Sequence, residues 1–284
     1  MTEDLFFVRP QSNQRIAVGK RDLGNPAEKL YIGVPKIGLV ISTFAAVPYV
    51  DVALAVRQRL YPEVPVLVHD DASDQTEALV AVCQAAGATF ETNSSRLGHE
   101  LGDLSSIVGG LRWAKEMGLD LLVKMSRRFV PNTNWAPKLA HMAQVTQFAT
   151  FARNCGTHDF PLRSECFAMG VGPWSSDEID GRMTAFLLNN HEPFSVEQLM
   201  FDLAGKVYAG NCVAARQWEL NHVRANPKLP FVMWDFLSEG RRTPTKAHLW
   251  HEISPPEQYA ELARVVGKNY PPQAFAGYFS QAGV

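Results

Sequence analysis

Four short apolar runs alternate with three stretches of helical spacing between residues 37 and 125, and few folds accept that rhythm. The first run, Ile37 to Thr43 (IGLVIST), is rich in β-branched residues and lacks polar alternation, as in a strand buried on both faces. A helix is expected from Tyr49 to Leu60 with Val50, Leu54 and Val56 turned inward, and Pro62 and Pro65 punctuate the turn after it. Val64 to Val68 reads as the second strand, and the helix after it has the stripe Leu79, Val80, Cys83 and Ala86. Asp74 and Glu77 have capping-box spacing for that helix, and Gly87 stands where a C′ glycine belongs. Ala88 to Thr92 and Leu119 to Met125 read as the third and fourth strands. Between them, Asp103 to Met117 puts Leu104, Ile107, Val108, Leu111 and Ala114 on one helical face. Strands joined by helices in this way build βαβ units. The expected fold is α/β, with a mostly parallel central sheet and flanking helices.

Elsewhere the pattern is weaker. Residues 1–36 are polar and mixed and are expected to form an arm, with a short strand near Ile16 to Val18. Residues 37–131 and 132–284 then form the two halves of one continuous domain. In the second half, helices are expected over Asn134 to Ala143 and Ser176 to Leu188, and strands over Phe148 to Ala152, Cys166 to Val171 and Val207 to Ala209. Ser195 and Gln198 are spaced to open a helix that runs to Ala204, and a last amphipathic helix starts near Pro255.

Composition removes several classes. A net charge of −2 over 284 residues argues against a general nucleic-acid binder. No apolar run approaches the roughly 20 residues needed to span a bilayer. The first residues are acidic where a secretion signal is basic, and the four cysteines show no CxxC spacing. Reduced thiols and a cytoplasmic location are expected.

The chemistry concentrates where two of the predicted strands end. Asp70 and Asp71 are adjacent carboxylates at the tip of the second strand, and they repel unless a ligand, a cation or backbone N–H groups satisfy them. Asp74 alone suffices as a helix cap, which leaves both of them over. Carboxylates so placed can accept from a base N–H and from ribose hydroxyls. The fourth strand ends in Ser126, Arg127 and Arg128, and Lys124 shares a face with Ser126. Adjacent guanidinium groups bind phosphate oxygens bidentately; the plainer alternative is a basic surface loop. In α/β sheets, ligands bind beyond the carboxyl ends of the strands, which is where both clusters lie.

IGLVISTF followed by a helix and VPVLVHDDASDQTEAL resembles the opening of the family 2-like glycosyltransferases of the GT-A fold, over roughly residues 37–131. The resemblance implies a Rossmann-like nucleotide-binding half followed by an acceptor half. It places Thr43 near the base, with Asp70 and Asp71 on a uracil-like edge and the ribose. In that family the fourth strand ends in a D-x-D motif that binds a divalent metal. Here Ser126, Arg127 and Arg128 stand instead, and they are poor ligands for a hard cation. Some capsule and lipopolysaccharide glycosyltransferases look similar, with a K-x-S/T-G-R strand end, so polysaccharide biosynthesis is expected. The leaving phosphate would then be stabilised by Lys124, Ser126, Arg127 and Arg128, with no metal and no other cofactor.

Arg96 to Asp103 (RLGHELGD) reads as a glycine-containing loop whose Asp103 either caps the next helix or reaches a donor hydroxyl. By the same resemblance Glu197 is the candidate base that takes the acceptor proton, with Asp202 a weaker choice. His251 of HLWHE suits a phosphate contact better than a zinc site, because a third clear ligand is missing. Trp174 reads as a core or rim residue, with stacking on an acceptor sugar as the alternative. The expected partners are a nucleotide-sugar donor and a glycan, lipid-linked or protein acceptor, with no nucleic acid and with self-association left open. Two alternatives stand: a nucleotide- or glycan-binding relative without activity, and a nucleotidyltransferase. STFAAVPYV lacks the glycine-rich phosphate loop that the latter needs.

Overall fold

The structure is a computed structural model that describes residues 6–8, 15–17, 35–127, 148–153, 166–189, 196, 199–200, 203, 213–218 and 256–276. Among these residues nine strands form one sheet: β1 (Phe6–Val8), β2 (Arg15–Ala17), β3 (Ile37–Thr43), β4 (Val66–Asp70), β5 (Thr89–Thr92), β6 (Leu121–Ser126), β7 (Phe148–Arg153), β8 (Cys166–Gly170) and β9 (Val213–Trp218). Their order across the sheet is β2-β1-β9-β7-β8-β6-β3-β4-β5. Strands β6, β3, β4 and β5 run parallel, and β8 joins β6 antiparallel, so the central part is mostly parallel as the alternation predicts. Beyond it, β7 pairs antiparallel with β8 and parallel with β9, and β1 pairs antiparallel with both β9 and β2. Two short pieces of the expected arm are therefore strands of the same sheet.

Helices cover both faces. On one lie α1 (Val47–Leu60) and α2 (Thr76–Ala85), which pack on Leu39, Ile41, Val66, Val68, Val123 and Met125. On the other lie α3 (His99–Glu116), a short α4 (Val171–Trp174) and α5 (Asp177–Asn189), over Val40, Leu67, Leu122, Phe167 and Met169. Alternate residues of each strand thus feed opposite cores. Burying each such side chain contributes about 1.5–3 kcal/mol. Helix α3 lies very close to the sheet: a Cβ on Gly110 would sit 3.0 Å from Val40 and 3.1 Å from Leu122.

Helix α1 is buried on its outer side too. Tyr49, Val52 and Val56 pack against Tyr259, Leu262 and Phe275 of α6 (Pro256–Val265) and α7 (Gln273–Ala276). Asp51 fastens this contact, bonding Lys268 Nζ at 2.7 Å and accepting from Tyr270 Oη at 2.7 Å.

Several local expectations shift. Helix α2 starts at Thr76 with Gln75 at its N-cap position, so Asp74 is not its cap. Helix α3 starts at His99, four residues before the expected Asp103. RLGHELGD is therefore mostly helix rather than loop. Trp174 is fully buried in the core under α3, as its core reading expects, and offers no surface to an acceptor sugar. The helix over Asn134 to Ala143, the strand over Val207 to Ala209, and Arg128, Glu197, Asp202 and His251 lie outside the described residues.

Candidate active site

The carboxyl ends of β3, β4 and β6 meet at one lip. Register sets Thr43 beside Asp70, and Ser42 beside both His69 and Ser126. Asp70 has no exposed surface; its Oδ1 accepts from Ala45 N–H at 3.2 Å and its Oδ2 from Ser73 N–H at 2.7 Å. One carboxylate therefore ties the β3–α1 loop to the β4–α2 loop. Both loops are strained: Ala45, Ala46 and Ala72 have φ of 55°, 67° and 53°, in the left-handed region that non-glycine residues avoid. Such conformations cost on the order of 1 kcal/mol or more each, persist only where surrounding contacts fix them, and cluster at functional sites. Thr43 Oγ1 adds a hydrogen bond to Ala45 O at 2.7 Å.

Asp71 does the equivalent for the opposite loop. Its Oδ1 accepts from Asn93 Nδ2 at 2.8 Å and Leu97 N–H at 2.9 Å, and its Oδ2 from Gly98 N–H at 2.9 Å. The Leu97 and Gly98 donors stand at the N-terminus of α3, where the helix dipole also favours a carboxylate. Gly98, at φ 92°, provides the turn. Gly102 leaves room for Asp71, since a Cβ there would lie 2.6 Å from Asp71 Oδ2. Among the described residues, backbone N–H groups supply most of the donors to the aspartate pair, and the Asn93 side-chain amide adds one.

The α3 side of the lip carries a buried ion pair. Lys124 is 1% exposed, and its Nζ lies 2.5 Å from Asp103 Oδ1. Ser42 Oγ donates to the same oxygen at 2.9 Å. Asp103 keeps 16% of its side-chain surface exposed, so it is the partner that faces outward. Lys124 sits beneath α3 with its ammonium 5.9 Å from the Phe167 ring centre. Ser126 and Arg127 close the row half-buried, with Arg127 N–H donating to Ser42 O at 3.1 Å. Thr43, Asp70, Asp71, Asp103, Lys124, Ser126 and Arg127 are thus gathered at one sheet edge.

Three further residues belong to this edge, and no local pattern points to them. Arg96 lies with its guanidinium carbon 4.1 Å from the Phe44 ring centre, across 52 residues of sequence. Glu100 accepts from Val196 N–H at 2.8 Å, which brings the residue before Glu197 against the first turn of α3. The His99 side chain, and then the Val196 N–H and the charges of His99 and Lys124, hold the Glu100 carboxyl below its usual value against the effect of burial. His69 is 5% exposed beneath Gly109, and its Nδ1 has no hydrogen-bond partner among the described residues. Burial lowers its pKa, with Asp71 and Asp70 pulling the other way.

Among the described residues, the donors at the end of β6 are the Ser126 hydroxyl and the Arg127 guanidinium, a poor set for the divalent cation of the resembling family, and Asp103, which faces them from α3, is paired to an ammonium. Among the described residues no group of three or more His, Cys, Asp or Glu side chains is arranged to hold a metal ion.

No family model matches the chain, and no curated protein sequence matches it significantly. Solved structures similar in outline include a galactosyltransferase, LgtC, in complex with donor and acceptor sugar analogues. It is 12% identical, with 84% of this chain and 99% of that chain covered and a TM-score of 0.48. Glucosyl-3-phosphoglycerate synthase from Mycobacterium tuberculosis, in complex with Mn2+, UDP and glucosyl-3-phosphoglycerate, is 14% identical over 65% of this chain and 70% of that one, with a TM-score of 0.39. TarS residues 1–349 from S. aureus, in complex with UDP-GlcNAc, is 11% identical over 84% of this chain and 68% of that one, with a TM-score of 0.45. Likeness at this level is one of outline. Among the described residues no helix is long and apolar enough to cross a membrane.

Proposed function

We propose that this chain is a glycosyltransferase that moves a sugar from a nucleotide-sugar donor to a glycan, lipid-linked or protein acceptor without a bound metal. The observation that carries this reading is the end of β6, where Ser126 and Arg127 replace the expected carboxylates beside a lip built at the carboxyl ends of parallel strands. In this reading Arg127 and Arg128 bind the departing diphosphate bidentately and stabilise its growing charge. Asp103, paired to Lys124, accepts from a donor hydroxyl through its exposed edge. Asp70 and Asp71 fix the loops against which base and ribose lie, with Thr43 beside them. Glu197 takes the acceptor proton, and His251 meets the phosphate.

A second reading is a nucleotide- or glycan-binding relative that does not turn over. It is favoured by the inward use of the Asp70 and Asp71 oxygens. Calorimetric titration with UDP, GDP, dTDP and CMP, first in EDTA and then with Mn2+, tests the proposal. One nucleotide should bind in EDTA, and Arg127→Ala should weaken it about tenfold or more. Binding that strictly requires Mn2+ would contradict metal independence.

A further inference from the structure

Resting on the donor reading above, we propose that Arg96 is a diphosphate ligand parked on the ring of Phe44, and that it leaves the ring when a nucleoside diphosphate enters. Arg96 is exposed, and its guanidinium carbon lies 4.1 Å from the centre of the half-buried Phe44 ring. Among the described residues that ring contact is its one interaction, and none of its five N–H donors is spent within them. Asp70 and Asp71 do not compete for it, since their oxygens are turned onto the surrounding amides.

The loop around Arg96 is built for this. Asp71 pins it on both sides, through Asn93 before it and Leu97 and Gly98 after it, and Ser105 Oγ holds Asn93 from α3 at 2.7 Å. Only Ser94, Ser95 and Arg96 are left to project, so the side chain can swing without moving its base. Phe44 follows β3 directly, and Arg127 is bonded to Ser42 at that strand's end, so the two arginines flank one strand terminus. A cation–π contact at an exposed position is weaker than a bidentate, charge-assisted pair with phosphate, so an arriving anion takes the arginine. Its departure bares a flat aromatic face, and phosphate capture thereby opens a surface on which a planar base can stack.

The test compares wild type, Arg96→Ala and Arg96→Lys in titrations with inorganic diphosphate, uridine and UDP, and guanosine and GDP. Arg96→Ala should weaken inorganic diphosphate and the bound nucleoside diphosphate by about tenfold or more. The matching nucleoside should bind as before, or up to about fivefold tighter, because its competitor for the ring is gone. Arg96→Lys should fall between, keeping the charge without the fork. Equal weakening of nucleoside and nucleoside diphosphate, or no change in either, would overturn the proposal while leaving the donor reading intact. A wild-type protein that binds none of the probes would overturn both.

Discussion

Gly102→Ala should destabilise this protein, although alanine is the better residue for a helix interior. The substitution alone gains about 1 kcal/mol of helix propensity. Against this, the new Cβ would lie 2.6 Å from Asp71 Oδ2 and 2.7 Å from its Cγ, so the carboxylate must shift. Overpacking of this kind costs about 1–3 kcal/mol, and losing one charge-assisted hydrogen bond, such as that from Gly98 N–H, about 1.5–3 more. The net expectation is a loss of about 1.5–5 kcal/mol, read as a lower urea midpoint with an unchanged slope. Gly181→Ala in α5 is the control: a Cβ there meets nothing within 4 Å, so it should stabilise by about 0.5–1 kcal/mol. In an Asp71→Ala background the two closest contacts are gone and only the Cβ at 3.1 Å remains, so Gly102→Ala should cost far less than in the native background. Stabilisation by Gly102→Ala in the native background would refute the claim that Asp71 is wedged between the α3 N-terminus and this glycine.

Asp70→Asn keeps the shape but replaces an acceptor with a donor facing an amide, and should cost about 2–3 kcal/mol in urea denaturation; an effect below about 0.5 kcal/mol would mean that Asp70 does not hold the two strained loops. Stability should also respond to pH through His69. Because burial lowers its folded pKa, the unfolded chain takes up a proton first, so stability is full above about pH 6.5 and falls as pH drops toward the folded value. His69→Asn should flatten that slope between about pH 7 and 5, and an unchanged slope would acquit His69. Burial pushes the Cys83 thiol up to about 12. It should therefore resist alkylation at about pH 8 until urea unfolds the chain, as peptide mapping would reveal; rapid native labelling would contradict its place under α2.

The parallel core was legible because its signal is local. Ile37–Thr43 is the expected strand to the residue, since a β-branched run buried on both faces has few alternatives. The start of α3 was not legible, because the group that settles its first turn is Asp71, about 27 residues away, rather than a neighbouring cap. The same holds for the aspartate pair. Their position at a strand tip is written in HDDASD, and the Ser73 amide is a local partner, but the amides of Ala45, Leu97 and Gly98 become neighbours only after folding. Lys124 was correctly placed on the face of Ser126, yet its depth beneath α3 depends on how closely the glycines of that helix let it approach. Arg96 on Phe44 is another long-range pairing, with nothing in either segment to announce it.

The most direct test of the central claim is release of nucleotide from a panel of UDP-, GDP-, dTDP- and CMP-sugars in EDTA, followed by mass spectrometry for wild type and Arg127→Ala. The account predicts turnover of one donor without added metal and a loss of about tenfold or more in the variant. No release from any donor, together with no nucleotide bound, would contradict it.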